Sequence, residues 1–141
     1  MIGIPLSEFG DTYQFKQITA GSYDTVFEIT IPTGYLAFIY EIATTFYKDT
    51  YIEFRIDDGI AYTFKRELET VDTNMDFLSE VMNIDEPKRY DPPWVATRKI
   101  EFIGYNNDTN DHIFEVFCDG ICYNKQIARR QLIGSNNKQR L

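Results

Sequence analysis

The sequence predicts an all-β protein, an antiparallel β-sandwich of jelly-roll character, and three observations carry that expectation. Aromatic residues make up 16% of the chain and are nearly all Tyr and Phe, side chains that suit a pleated, half-buried surface. Short runs of alternating apolar and polar residues recur along the chain, roughly seven to nine of them. Turn-forming Gly, Pro and Asp separate these runs at spacings of about 10 residues, the rhythm of a sandwich. With 141 residues the chain is one domain, long enough to enclose a core.

The elements follow in order. Residues 1–10 read as an N-terminal arm: Pro5 and Gly10 punctuate it, and Ile2, Ile4, Leu6 and Phe9 give it apolar side chains to pack on something. Ile2, Ile4 and Leu6 are therefore candidate subunit contacts. The sandwich domain is expected over 11–123. Tyr13, Phe15 and Ile18 mark a first strand, Gly21-Ser22 a turn, and Val26, Phe27, Ile29 and Ile31 a second strand. The densest β-branched and aromatic run, Ile29 to Phe64, organises the rest. Proline presets a turn φ and glycine accepts positive φ, so Pro32 to Gly34 ends one strand and starts the next. Tyr35 to Phe46 is almost continuously apolar. It fits a strand covered on both faces or a short helix, and the β-branched content and flanking Pro-x-Gly favour the strand.

Ile52, Phe54 and Ile56 alternate with Glu53, Arg55 and Asp57, and Ile60, Tyr62 and Phe64 alternate beyond the turn. A three-residue loop, Asp57-Asp58-Gly59, pairs Ile56 with Ile60, Phe54 with Tyr62 and Ile52 with Phe64, and puts Gly59 at a left-handed position. Val71, Met75, Leu78 and Met82 then stand at helical spacing, which fits a short helix over 74–83 or an extended connection. Pro87 and Asp91-Pro92-Pro93 enforce an extended path, and Trp94, the single Trp, follows to cap the core. Val95 to Tyr105 and Ile113 to Cys118 read as strands around the polar loop Asn106 to Asp111. Asp119-Gly120 is a two-residue hairpin signal that pairs Cys118 with Ile121 and Val116 with Tyr123. Residues 124–141 form a C-terminal arm.

The charge is uneven. Residues 1–119 hold all 22 acids and nine of the 14 bases, a net charge of −13, whereas Lys125, Arg129, Arg130, Lys138 and Arg140 stand alone beyond Asp119. An acidic body argues against broad nucleic-acid binding. Together with the basic tail it allows one copy to hold the next head to tail, with Lys125, Arg129, Arg130, Leu132 and Arg140 as candidate contacts. A solvated, frayed terminus is the alternative. No window is apolar enough to span a membrane. MIGIPLSEFG has neither the basic nor the apolar region of a secretion signal, so synthesis in a reducing cytoplasm is expected.

Candidate chemistry is sparse. Cys118 and Cys122 fall on opposite faces of the expected hairpin, too far apart to bond. With His112, the only histidine, they supply three ligands where zinc takes four. Asn106, Asp108, Asn110 and Asp111 alternate as calcium ligands do, but the bend glycine and the terminal acid are missing. Asp57-Asp58 is explained as a hairpin loop rather than a catalytic pair. There is no nucleophile motif and no phosphate-binding glycine loop. No catalytic, cofactor or metal residue is therefore assigned. Tyr35, Tyr40, Tyr47, Tyr51, Tyr90, Trp94 and Tyr105 are enough aromatics for a sugar-binding platform, although most are expected in the core or at an interface.

Ile31-Pro32-Thr33-Gly34-Tyr35, Phe54-Arg55-Ile56-Asp57-Asp58-Gly59 and Pro92-Pro93-Trp94 together resemble the small β-sandwich virion proteins of tailed bacteriophages, over about a third of the chain. The resemblance implies a non-enzymatic virion component of the auxiliary capsid (decoration), head-fibre or portal- and neck-associated type. It further implies a homo-oligomer that contacts other virion proteins; the acidic charge and the lack of an apolar window add the expectation of no nucleic-acid and no membrane partner. A carbohydrate-binding module with a platform around Trp94 is the rival expectation; a cupin-type enzyme lacks the histidines for its metal.

Overall fold

A computed structural model of the protein describes residues 3–65 and 87–126. These residues form nine strands: β1 (Ile4–Pro5), β2 (Tyr13–Ile18), β3 (Tyr23–Thr30), β4 (Tyr35–Thr44), β5 (Thr50–Ile56), β6 (Gly59–Lys65), β7 (Lys88–Ala96), β8 (Lys99–Asn106) and β9 (His112–Asn124). One five-stranded sheet runs β1-β9-β4-β7 with β2 also on β9, and a four-stranded sheet runs β3-β8-β5-β6. The eight long strands pair from the outside in: β2 with β9, β3 with β8, β4 with β7 and β5 with β6, all antiparallel. This is one long hairpin rolled over itself into two sheets, the jelly roll that the alternation and turn spacing predict.

The core lies between the sheets. Phe27, Phe54, Phe102 and Phe114 are fully buried with Ile29, Ile39, Ile42, Ile52, Ile100 and Val116. Phe54 stacks on Phe102 at 4.7 Å and Phe27 meets Phe102 edge-on at 5.3 Å. Each such side chain contributes roughly 1.5–3 kcal/mol by leaving water. Along one long edge the sandwich is stitched shut: the Gln14 amide accepts the Glu28 N–H at 3.3 Å and donates to the Glu28 carbonyl at 3.1 Å, tying β2 to β3. Trp94 packs edge-on against Phe54 at 5.5 Å, as expected of a core cap.

Four expectations are corrected. The β5–β6 loop has two residues, not three: Ile56 faces Gly59 and Arg55 faces Ile60, and a shift between Phe54 and Arg55 restores the expected Phe54–Tyr62 and Ile52–Phe64 pairs. Asp57 and Asp58, not Gly59, take the positive φ values, 52° and 71°, the conformation a two-residue primed turn demands. Asp57 tolerates it because its carboxylate accepts the N–H groups of Thr97, Arg98 and Lys99 and the Thr97 hydroxyl, which locks the turn to the β7–β8 connection. At the earlier turn Gly34 has φ 94° as expected, but Pro32 is the first residue and accepts the Tyr35 N–H, so Thr33 and Gly34 are the central pair.

Asp119-Gly120 makes no hairpin, because β9 runs unbroken through it. Glycine is needed there for close approach: a Cβ on Gly120 would sit 2.1 Å from the Phe38 carbonyl oxygen of β4. Consequently Cys118 and Cys122 share the inner side of β9 rather than opposite sides. Four residues of strand keep them about 13 Å apart, and both thiols are free and buried. Finally, residues 4–10 are not a free arm. Ile4 pairs with Cys122 and Leu6 is wholly enclosed in the chain's own core, so Leu6 is unavailable to a neighbour. The helix reading over 74–83 lies outside the described residues.

Candidate functional site

Strand β9 is the middle of the five-stranded sheet and is apolar at both parities. Phe114, Val116, Cys118 and Cys122 point inward and are buried. The alternate set, Ile113, Glu115, Phe117, Asp119, Ile121 and Tyr123, therefore points away from the core. Register carries that outer surface across the sheet. Tyr13 stands opposite Phe117 and Phe15 opposite Glu115 on β2. On β4, Leu36, Phe38, Glu41 and Ala43 stand opposite Tyr123, Ile121, Asp119 and Phe117. Val95 of β7 continues the row beside Phe38.

The result is a broad, exposed apolar surface. Phe15 is 63% exposed, Ile113 51% and Val95 43%, with Tyr13 and Ile121 also open to solvent. Tyr123 meets Phe38 edge-on at 5.5 Å and Tyr13 lies 5.9 Å from Phe15, two apolar groups separated by the cross-strand row Arg89, Glu41 and Asp119. Exposed apolar patches of sufficient size are a feature of surfaces that meet a partner. The charges on this surface are few: Glu115, Asp119 and Glu41, the last reached by Arg89 at 3.4 Å. The Tyr13 hydroxyl donates to Glu115. That bond, then burial, then the carboxylate's charge push the Tyr13 phenol above its ordinary pKa.

The outer surface of the four-stranded sheet differs. Arg55 donates to Glu53 at 2.7 Å, and Lys99 reaches Glu101 at 3.3 Å and Asp58 at 3.0 Å. Tyr105 stacks on Tyr51 at 4.5 Å and on Tyr23 at 5.3 Å, and its hydroxyl donates to Glu53 at 3.1 Å.

The sequence-derived contact residues are dispersed. Ile4 is part-buried in β1 and Leu6 is core. Lys125 is part-buried just past β9, where its N–H donates to the Gly34 carbonyl at 2.7 Å, beside a cleft of about 410 Å³ lined by Gly34, Asn124, Lys125 and Gln126. Ile2, Arg129, Arg130, Leu132 and Arg140 lie outside the described residues. The sequence reading missed Tyr13, Phe15, Ile113, Ile121 and Val95 as surface. The available signal was β9 itself: Ile113-Phe114, Val116-Phe117-Cys118 and Ile121-Cys122 put apolar residues at adjacent positions, more than one buried side can use.

The other candidate groups serve the fold. The buried Asn106 amide donates to the Ile18 and Asn110 carbonyls and its oxygen accepts the Asp108 N–H, while Asp111 accepts the Ala20 N–H. Asp108 bonds His112 at 2.7 Å, which lowers its pKa, and His112 stacks on Tyr47 at 4.2 Å. The calcium-like oxygens are thus turned onto the loop itself, and among the described residues no three His, Cys, Asp or Glu side chains converge as a metal site. Burial pushes the Cys122 thiol up to about 11, and Cys118 higher still, so both stay protonated. Trp94 faces the core rather than forming an exposed platform. Its Nε1 and the Tyr90 hydroxyl are buried without a hydrogen-bond partner among the described residues. Burial, then the neighbouring Tyr62 and Cys118, push the Tyr90 phenol up to about 12. Among the described residues no helix is long and apolar enough to cross a membrane. No family model, curated protein or solved structure matches the chain.

Proposed function

We propose that the chain is a non-enzymatic structural subunit of a virion, of the auxiliary capsid, head-fibre or neck-associated kind, and that it works by assembling through the outer surface of its five-stranded sheet. The observation that carries the reading is that surface: Phe15, Ile113, Val95 and Ile121 stand exposed on one side of a folded sandwich, and contact with another protein would take them out of water. The jelly roll supports the virion setting by analogy alone, since viral coat proteins, lectins and cupins share it. The resemblance of Ile31 to Tyr35 and Phe54 to Gly59 to phage virion proteins points the same way.

The test is the solution mass of the full chain by light scattering across concentration and salt. Assembly into a defined oligomer supports the reading, and a monomer at every concentration, alone and with isolated virions, overturns it. The carbohydrate-binding alternative moves from Trp94 to the stacked rings Tyr51, Tyr105 and Tyr23, of which Tyr23 is 70% exposed. Binding on a glycan array that is lost in Tyr23→Ala would establish it in place of assembly.

A further inference from the structure

The apolar surface of the five-stranded sheet carries acids but almost no bases. Glu115 and Asp119 project from β9 and Glu41 from β4, and among the described residues Arg89 is the cation bridged to them, through Glu41. A second copy laid on it by the same surface would double the carboxylates in the contact and add few cations to pair them, at a cost that grows as water is excluded. The favoured occupant is apolar and basic. The chain contains one such stretch: residues 127–141 include Ile127, Leu132 and Ile133 for the apolar groups, Arg129 and Arg130 for the carboxylates, and no acid.

Reach also fits. The 13 residues of β9 span about 40 Å, and the segment beyond Gln126 covers about 50 Å when extended. It leaves the sandwich at the Gly34 end, where Lys125 is fastened by its N–H to the Gly34 carbonyl. To lie along its own sheet it would have to reverse at once over that fastened turn, whereas a neighbour's surface is reached by continuing outward.

We infer that the outer surface of the five-stranded sheet is the docking site for the basic C-terminal segment, residues 127–141, of a second copy of this chain. The contact is head to tail, so each copy offers one segment and one surface. Repetition closes a ring or extends a fibre according to the rotation between neighbours. The apolar groups hold the segment, and Arg129 and Arg130 against Glu115 and Asp119 set its direction. The inference rests on the assembly reading and adds which parts meet.

A crosslinking experiment on the full chain tests it. One sample carries only Ile113→Cys, another only Leu132→Cys, and a short bis-maleimide is added to each alone and to their mixture; the native thiols are buried and protonated and stay silent. The inference expects covalent dimers in the mixture at least about tenfold above either sample alone, falling with salt as the arginine contacts are screened. Reversing Arg129→Glu with Arg130→Glu should remove the product, and adding Glu115→Arg with Asp119→Arg to the partner should restore it. Dimers from Ile113→Cys alone would overturn the inference in favour of like surfaces meeting. Crosslinks within single chains carrying both cysteines, with none between chains, would overturn it in favour of self-coverage. Light scattering on the same samples separates the levels: a defined oligomer without the mixed crosslink defeats this contact and leaves the assembly reading standing, whereas a monomer throughout defeats both.

Discussion

The two outer surfaces of the sandwich are built on the same backbone rules and spend their outward positions in opposite ways. On the four-stranded sheet, Glu53, Arg55, Lys99, Glu101 and Asp58 are bonded to one another, and Tyr105 lies between Tyr51 and Tyr23. The charges of that sheet are thus paired with one another, while Tyr23 on β3 and Ile60 on β6 stay exposed singly at its two edge strands. On the five-stranded sheet, Phe15, Ile113, Val95 and Ile121 are left facing water with no such closure. The core constrains only every second residue of a strand, so the remaining positions report what the strand faces outside. Here they are mostly paired charges on one side and mostly apolar side chains on the other.

The largest effect should come from the seam that holds the apolar surface flat. Strands β4 and β9 approach so closely at Gly120 that a methyl group would collide with the Phe38 carbonyl and backbone. Neither is a side chain that can swing away. Gly120→Ala is expected to cost about 3 kcal/mol or more in chemical unfolding, at the high end for overpacking. A loss under about 1 kcal/mol would mean that the β4–β9 seam can open to admit a methyl group.

The counterpart on the other sheet is Asp57, at the tip of β5. Burial alone would raise its pKa. The N–H groups of Lys99, Arg98 and Thr97, with the Thr97 hydroxyl, outweigh that and hold it below the ordinary carboxylate value. Asp57→Ala leaves those donors without an acceptor and should cost about 2–3 kcal/mol at neutral pH. Because the folded pKa is lowered, the contribution is complete above the unfolded value near 4 and is lost as pH falls through the folded one. Asp57→Asn should therefore flatten the acid limb of a stability–pH curve and leave its slope above about pH 5 unchanged. An unchanged acid limb would assign the sensitivity to Asp58, Asp24 and Asp108, whose pKa values are lowered as well.

Much of the fold was legible because alternation and turn chemistry act locally. The strand positions, the Gly34 turn and the extended Pro92-Pro93 path follow from neighbours in sequence. The errors arose where a distant strand decided. Gly120 looked like a turn residue and is a close-contact residue, a distinction set by Phe38, far away in the chain. Asp57 looked like an ordinary loop acid, yet its left-handed φ is held by groups about forty residues on. The five-stranded surface is hidden for a different reason: adjacent apolar pairs in β9 offer both parities, and the burial of Phe114, Val116 and Cys118 in the folded sandwich decides which one points outward. Leu6, taken for a sticky contact, was the reverse case, an arm residue that its own core claims.

The smallest effects on stability should give the sharpest contrast. Ile113→Ser removes an exposed side chain from the apolar surface, and Arg55→Ser removes one partner of a surface ion pair from the charged one. Each should change the stability of the isolated sandwich by no more than about 1 kcal/mol. Their effects on association should part: Ile113→Ser is expected to weaken it at least about tenfold, since an apolar anchor buried by a protein contact is worth more than 1.4 kcal/mol, while Arg55→Ser leaves it within about twofold. Equal weakening by both would show that the charged surface is also buried on assembly. The tyrosine stack Tyr51–Tyr105–Tyr23 would then belong to a second contact, because Tyr105 and Arg55 share Glu53 as their partner and losing one reorients the other.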